Sequence, residues 1–200
     1  MEAIITKQES KEIAQIKGKI RGVGIKNIAD FVLKEEGEDG LALLQSAITQ
    51  VGFPVEYKSM RDIGFYPLRL LHVTLIAIKK LFDWPDERFQ EMGVFQVKTS
   101  MIIRLFSKYL LSLEKAAQEV QTMWNTYFTV GSLEIIELDK EKKQGKLKLK
   151  DFPLHPLHAQ FLCGYFPTIL QMIVKSEVEC RQVSASKGQK GIFYFVLEWK

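Results

Sequence analysis

The sequence predicts an α+β fold, with an N-terminal helical layer followed by a hairpin–helix–hairpin unit whose strands form an antiparallel sheet. Three observations predict it. Apolar residues recur at helical spacing from about residue 20 to 124. The period then falls to two over Leu133–Leu138 and Lys146–Lys150, and again over Val178–Val183 and Ile192–Trp199. Between the two strand pairs lies an apolar stretch too long for one strand. A chain of 200 residues supports one core, so a single domain is expected over 1–200, helical over about 1–126 and sheet-and-helix over about 127–200.

Residues 1–16 are polar and read as a frayed or helical lead-in. Ile20, Val23, Ile25, Ile28, Phe31 and Val32 then keep helical spacing, and Glu35–Gly40 reads as one helix end and a new start. Leu41, Leu44, Ile48 and Val51 continue as an apolar stripe that Gly52-Phe53-Pro54 stops. Pro67 suits the first turn of a helix running through Leu71, Leu75, Ile78 and Phe82. Asp83 is the predicted N-cap of a short helix carrying Phe89 and Met92, which Gly93 ends. One long helix is predicted from about Ser100 to Trp124, with Ile103, Phe106, Leu110, Leu113, Ala117 and Val120 on one face. A polar turn at Asp139–Gly145 joins the first strand pair, whose lysines form a solvated strand edge. A buried helix at about 156–175, kinked at Pro167, precedes the second pair, which turns across Gly188 and Gly191.

Composition excludes several functions. The net charge of +4 is modest and Lys and Glu are interspersed, so no basic face for nucleic acid is expected. The least charged stretch, Phe152–Val174, holds three prolines and two histidines, which argues for a buried helix over a membrane span. Met1–Lys17 lacks the apolar core of a secretory signal, so a cytoplasmic location is expected. Cys163 and Cys180 are too few for a disulfide framework and read as two buried thiols.

No catalytic site or metal site is predicted, and no enzyme. A nucleophile needs a base within hydrogen-bond reach, and the only histidines are His72, His155 and His158. His155 and His158 sit three apart at a helix start, but no third ligand stands at fixed spacing, so they read as polar groups near the sheet edge. Gly18, Gly22 and Gly24 follow no predicted strand and form no dinucleotide fingerprint.

Three stretches, in order, resemble the haem–nitric-oxide-binding (H-NOX) superfamily. They are Lys17-Gly18-Lys19-Ile20 with Glu38–Leu44 and Val51-Gly52-Phe53, then Phe89–Phe95 around Gly93, then hairpin, a helix with Phe161-Leu162-Cys163-Gly164-Tyr165, and hairpin. Gly164-Tyr165, Val178-Glu179-Cys180, Gly188 and Phe195–Trp199 are also similar to 4-vinyl-reductase-type domains, whose further cysteines are missing. The H-NOX resemblance implies a haem held by a histidine on the long helix before the first hairpin. That helix has none, and Ala117 or Gln121 falls at the ligand position. The resemblance also implies a Tyr-x-Ser-x-Arg clamp for the propionates. The matching segment, Asp151–Pro156, lacks arginine, and the copy at Tyr57–Arg61 lies before the third predicted helix. The expectation is a haem-free member with no cofactor.

The leading functional reading is a sensory or signalling domain with at most a small apolar pocket. Its expected lining is Leu110, Leu113, Ala117, Gln121, Phe161, Tyr165 and Ile169, and Phe106, Tyr109, Phe161, Tyr165 and Phe166 are the expected fillers of a vacated haem volume. A protein-interaction domain is the second reading, as a resemblance to transport-particle (TRAPP) subunits implies; a protein partner, a homodimer and a small apolar ligand stay open. An accessory protein for tetrapyrroles, or a haem sensor ligated by His72, His155 or His158, are the alternatives.

Overall fold

The computed structural model describes residues 4–100, 103–104, 112–183 and 191–200. Helix α1 (Lys7–Ala14) opens with a reciprocal cap, in which Thr6 Oγ1 accepts from Glu9 N at 3.1 Å and Glu9 accepts from Thr6 N at 2.7 Å. An ion pair of Glu9 with Lys80, at 2.7 Å, ties α1 to α3 (Leu68–Phe82). Strands β1 (Lys19–Arg21) and β2 (Phe65–Pro67) form a small antiparallel pair. Between them runs α2 (Gly22–Gln50), broken at Gly37, whose φ of 72° and ψ of −173° are not helical. That is the break predicted within Glu35–Gly40. Pro67 ends β2 and stands just before α3.

Every residue from Leu70 to Ile78 is buried, so α3 is apolar all round and runs through the middle of the helical layer. Asp83 is not the N-cap predicted for it. It ends α3 in the left-handed conformation at φ 48°, which Asp tolerates, and Pro85 precedes α4 (Asp86–Thr99). Gly93 does not end α4, which continues through it to Thr99. The single helix predicted from Ser100 to Trp124 is also corrected. Ser112 has φ −152° and its Oγ accepts from Lys115 N, so it caps a fresh helix, α5 (Leu113–Tyr127). Phe106, Tyr109 and Leu110 lie outside the described residues.

The back of the chain follows the predicted order. Strands β3 (Ser132–Asp139) and β4 (Gln144–Lys150) form a hairpin, α6 (Pro156–Val174) follows and continues through Pro167, and β5 (Val178–Val183) pairs with β6 (Ile192–Trp199). The antiparallel order is β3–β4–β6–β5. Gly188 lies outside the described residues. The order places β4 inside the sheet, so its lysines coat an outer face and are not a strand edge; Lys150 pairs with Glu134 at 2.6 Å and Lys146 lies over the Tyr194 ring. On the inner face Leu147 stands opposite Phe195 and Leu149 opposite Phe193. Phe166 of α6 meets Phe195 edge-on at 5.2 Å.

Helix α6 is the one described helix long and apolar enough to cross a membrane. Here it packs against α4 on one side and β5 on the other. The α4 contact is backbone on backbone. A Cβ on Gly93 would stand 2.1 Å from Phe161 O, and one on Gly164 would stand 1.9 Å from Gln90 O. Neither carbonyl can yield without moving a helix. Gly93→Ala and Gly164→Ala are therefore each expected to lower unfolding stability by about 1–3 kcal/mol or more, whereas Gly145→Ala, with its nearest atom at 3.7 Å, is expected to be close to neutral. Urea denaturation of the three variants checks this, and the double variant should cost less than the sum because both glycines serve one crossing.

Candidate functional site

Where α5, α6 and the inner face of the sheet meet, packing leaves a cavity of about 130 Å³. Its α5 wall is Leu113, Ala116, Val120, Met123, Trp124 and Tyr127, a stripe at helical spacing. The α6 wall includes Phe161, Tyr165 and Ile169, and the floor includes Leu133, Leu147 and Leu197. Of the predicted lining, Leu113, Phe161, Tyr165 and Ile169 are therefore at the cavity. Ala117 and Gln121 are not. The phase of α5 turns Ala116 inward instead, and Gln121 accepts from Leu133 N at 2.7 Å while donating to Asn125, which pins α5 to β3. The predicted filler Phe166 is also on the wall, as is Trp199 at the end of β6.

The hydroxyls and the indole at the cavity are paired within the protein. The Tyr127 hydroxyl lies 2.9 Å from Ser100 Oγ and is also hydrogen-bonded to Tyr165, whose burial pushes its phenol well above the ordinary tyrosine range. Trp124 Nε1 donates to Val130 O at 3.0 Å. Gln96 of α4 is different: it lines the cavity, is 2% exposed, and its Oε1 is buried with no partner.

The three histidines, far apart in sequence, come together. His72 and His155 have ring centroids 6.0 Å apart, and His72 and His158 6.2 Å. His155 stands at the start of α6 as predicted and its Nδ1 accepts from Leu157 N at 3.2 Å. His158 is no edge residue. It is buried among Phe128, Phe152 and Phe161 and lines the cavity. His72 Nδ1 and Nε2 and His158 Nδ1 have no hydrogen-bond partner. Burial, with a smaller effect from His155, pushes His72 down to about 3, and burial holds His158 well below 6.5. Among the described residues no group of three or more His, Cys, Asp and Glu is placed to hold a metal ion. Sequence reasoning missed this cluster, although a histidine inside a helix apolar on all sides signals a buried imidazole.

Away from the cavity, Tyr57 lies in a single 3₁₀ turn and its hydroxyl meets Thr74 Oγ1 at 2.9 Å, so the Tyr57–Arg61 segment serves the helical layer. Cys163 and Cys180 are free thiols joined by a hydrogen bond, which together with burial pushes the Cys180 thiol up.

No family model and no curated protein matches the chain. Solved structures do. An H-NOX protein from S. oneidensis in the Fe(II) ligation state superposes with a TM-score of 0.65 at 9% identity, over 90% of this chain and 96% of that one. The Fe(II) unliganded H-NOX protein from K. algicida superposes at 0.63 and 15% identity, over 90% and 97%. An oxygen-binding H-NOX domain related to soluble guanylate cyclases superposes at 0.58 and 12%, over 90% and 95%.

This chain has the H-NOX fold.

Two residues that the H-NOX resemblance implies for haem are absent from the sequence positions in question: no histidine lies between His72 and His155, and Asp151–Pro156 has no arginine. The cavity of about 130 Å³ is close to the roughly 150 Å³ of an engineered cavity that holds benzene, far below a porphyrin. No residue on the α5 wall offers imidazole. His158 alone of the three histidines lines the cavity.

The neutral histidines predict how stability depends on pH. A folded-state pKa below the unfolded 6.5 means that the unfolded chain binds more protons, so stability is full above about pH 6.5 and is lost as pH falls toward the folded value, about 3 for His72. Each such histidine contributes a slope of up to about 1.4 kcal/mol per pH unit in that window. Urea midpoints from pH 7.5 to 5.0 should fall with the uptake of about two protons from His72 and His158 and a further fraction from His155, which burial also lowers, and His72→Leu should remove about one of them.

Proposed function

We propose that this H-NOX-fold domain works without haem, as a non-enzymatic sensory module whose ligand is a small apolar molecule and whose output passes to a protein partner. The observation that carries the reading is the apolar cavity of about 130 Å³ at the junction of α5, α6 and the sheet. Left empty, a volume of that size costs about 3 kcal/mol at roughly 24 cal/mol per Å³. A domain stable by about 5–15 kcal/mol tolerates that loss, and a ligand recovers it. A vacated haem volume would not be tolerated on the same scale, and the walls carry the aromatic rings of Phe161, Tyr165, Phe166 and Trp199, large side chains that fill space well. The same volume argues against a tetrapyrrole as substrate or cargo.

A ligand at this point touches α5, α6, β3 and β4 at once, so its arrival changes the fit of the layers and supplies a signal that a partner can read. Purified protein mixed with equimolar hemin is expected to show no Soret band; a sharp six-coordinate spectrum that vanishes in His158→Ala would overturn the haem-free reading. Toluene at 100 times its Kd is expected to stabilise the fold by about 2.7 kcal/mol. Val120→Phe, which fills the cavity, should abolish that gain in a thermal melt.

A further inference from the structure

We propose that the cavity selects small apolar ligands that carry one hydrogen-bond donor, phenol-like in preference to toluene-like, and that Gln96 Oε1 is the acceptor. The inference rests on the reading of the cavity as a ligand site and adds the class of ligand.

An all-apolar cavity of this size would prefer a hydrocarbon, because a hydroxyl without a partner loses its water on entering. This cavity is not all apolar. Ser100, Tyr127 and Tyr165 form a chain of hydroxyls, each bonded to a neighbour, and Trp124 has spent its only donor on Val130 O. Two buried atoms of lining residues remain unmet, Gln96 Oε1 and His158 Nδ1; an imidazole nitrogen can serve as donor or acceptor, whereas the amide oxygen can only accept. Gln96 Oε1 is an oxygen with lone pairs, buried, on a residue that lines the space, and without a partner. A buried carbonyl-type oxygen left without a donor is costly, by about 1–3 kcal/mol, and such groups in folded proteins normally meet a donor from protein, water or ligand. The terminal torsion of a glutamine is soft, so the oxygen can turn toward an arriving hydroxyl while the rest of the side chain stays packed.

The position of Gln96 supports the assignment. It lies one turn beyond Gly93, where α4 and α6 touch backbone to backbone, so the acceptor is carried close to that crossing. A ligand whose apolar body fills the space against Val120 and Leu147 would present its donor to a fixed point. A site of that kind discriminates strongly against an analogue that lacks the donor, since the analogue leaves the acceptor unmet.

Calorimetric titration of the full chain with phenol, anisole and toluene tests the proposal, repeated on Gln96→Leu and on the closer isostere Gln96→Met. Phenol is expected to bind wild type about tenfold more tightly than toluene or anisole, and the preference should vanish or reverse in both variants. Toluene or anisole binding as tightly as phenol to wild type would overturn donor selection while leaving the apolar site standing. A phenol preference that survives in a folded Gln96→Leu or Gln96→Met would overturn Gln96 as the acceptor. Failure of all three compounds to bind wild type would overturn the ligand-site reading and this inference with it. The wild-type comparison of phenol with anisole decides donor selection even if both variants fail to fold.

Discussion

The arrangement depends on two glycines that let two helices touch through their backbones. Gly93 of α4 sits against Phe161 O and Tyr165 N of α6, and Gly164 of α6 sits against Gln90 O of α4. The contact is reciprocal, so it sets both the separation of the helices and their relative slide. Side-chain packing alone keeps helices about 8–10 Å apart; removing both Cβ atoms allows the closer approach. Gln90 Nε2 and Gln160 Oε1 meet at 2.9 Å beside the crossing and hold the rotation. Since α6 also bears on the sheet through Phe166 and Phe195, the crossing fixes how far the helical layer stands from the strands.

That separation explains the cavity. Helix α5 is held near its middle by the Gln121–Leu133 bond and at its C-terminal end by Tyr127, whose hydroxyl reaches Ser100 beyond the end of α4. With α5, α6 and the sheet each pinned by different contacts, no layer is free to close the last volume, and about 130 Å³ remains among apolar side chains. The histidine cluster lies at the α3 side of the same space. Its imidazoles are neutral because burial disfavours charge there, so the cluster rigidifies nothing by ion pairing and adds a cost only when the pH falls.

Structures 9–15% identical to this chain keep its fold over nearly their whole length. The fold is set by helix phase, strand alternation and a few glycines, all of which tolerate wide substitution. A haem site is set by single residues, and here both the imidazole and the arginine that the resemblance calls for are absent from the matching positions. Fold and chemistry separate in this way because they rest on different numbers of residues.

The strands were legible in the sequence because alternation such as Lys146-Leu147-Lys148-Leu149-Lys150 has one solution in a half-buried sheet. The break near Gly37 was legible because glycine and charge both oppose a continuing helix. Gly93 and Asp83 were misread, since local propensity treats glycine as a stop and aspartate as a cap, whereas a facing backbone and a left-handed helix end decide both. Four of the predicted pocket residues reached the cavity because they lie on the elements that surround it; Ala117 and Gln121 did not, because a helical phase error of one residue turns a side chain by about 100°. By itself the sequence determined the hairpin–helix–hairpin order of the back half and the lack of a histidine on the helix before it, since these depend on residue identity and spacing along the chain. The histidine cluster, the unmet oxygen of Gln96 and the size of the cavity were decided only by tertiary structure, because each depends on distances between residues far apart in the chain.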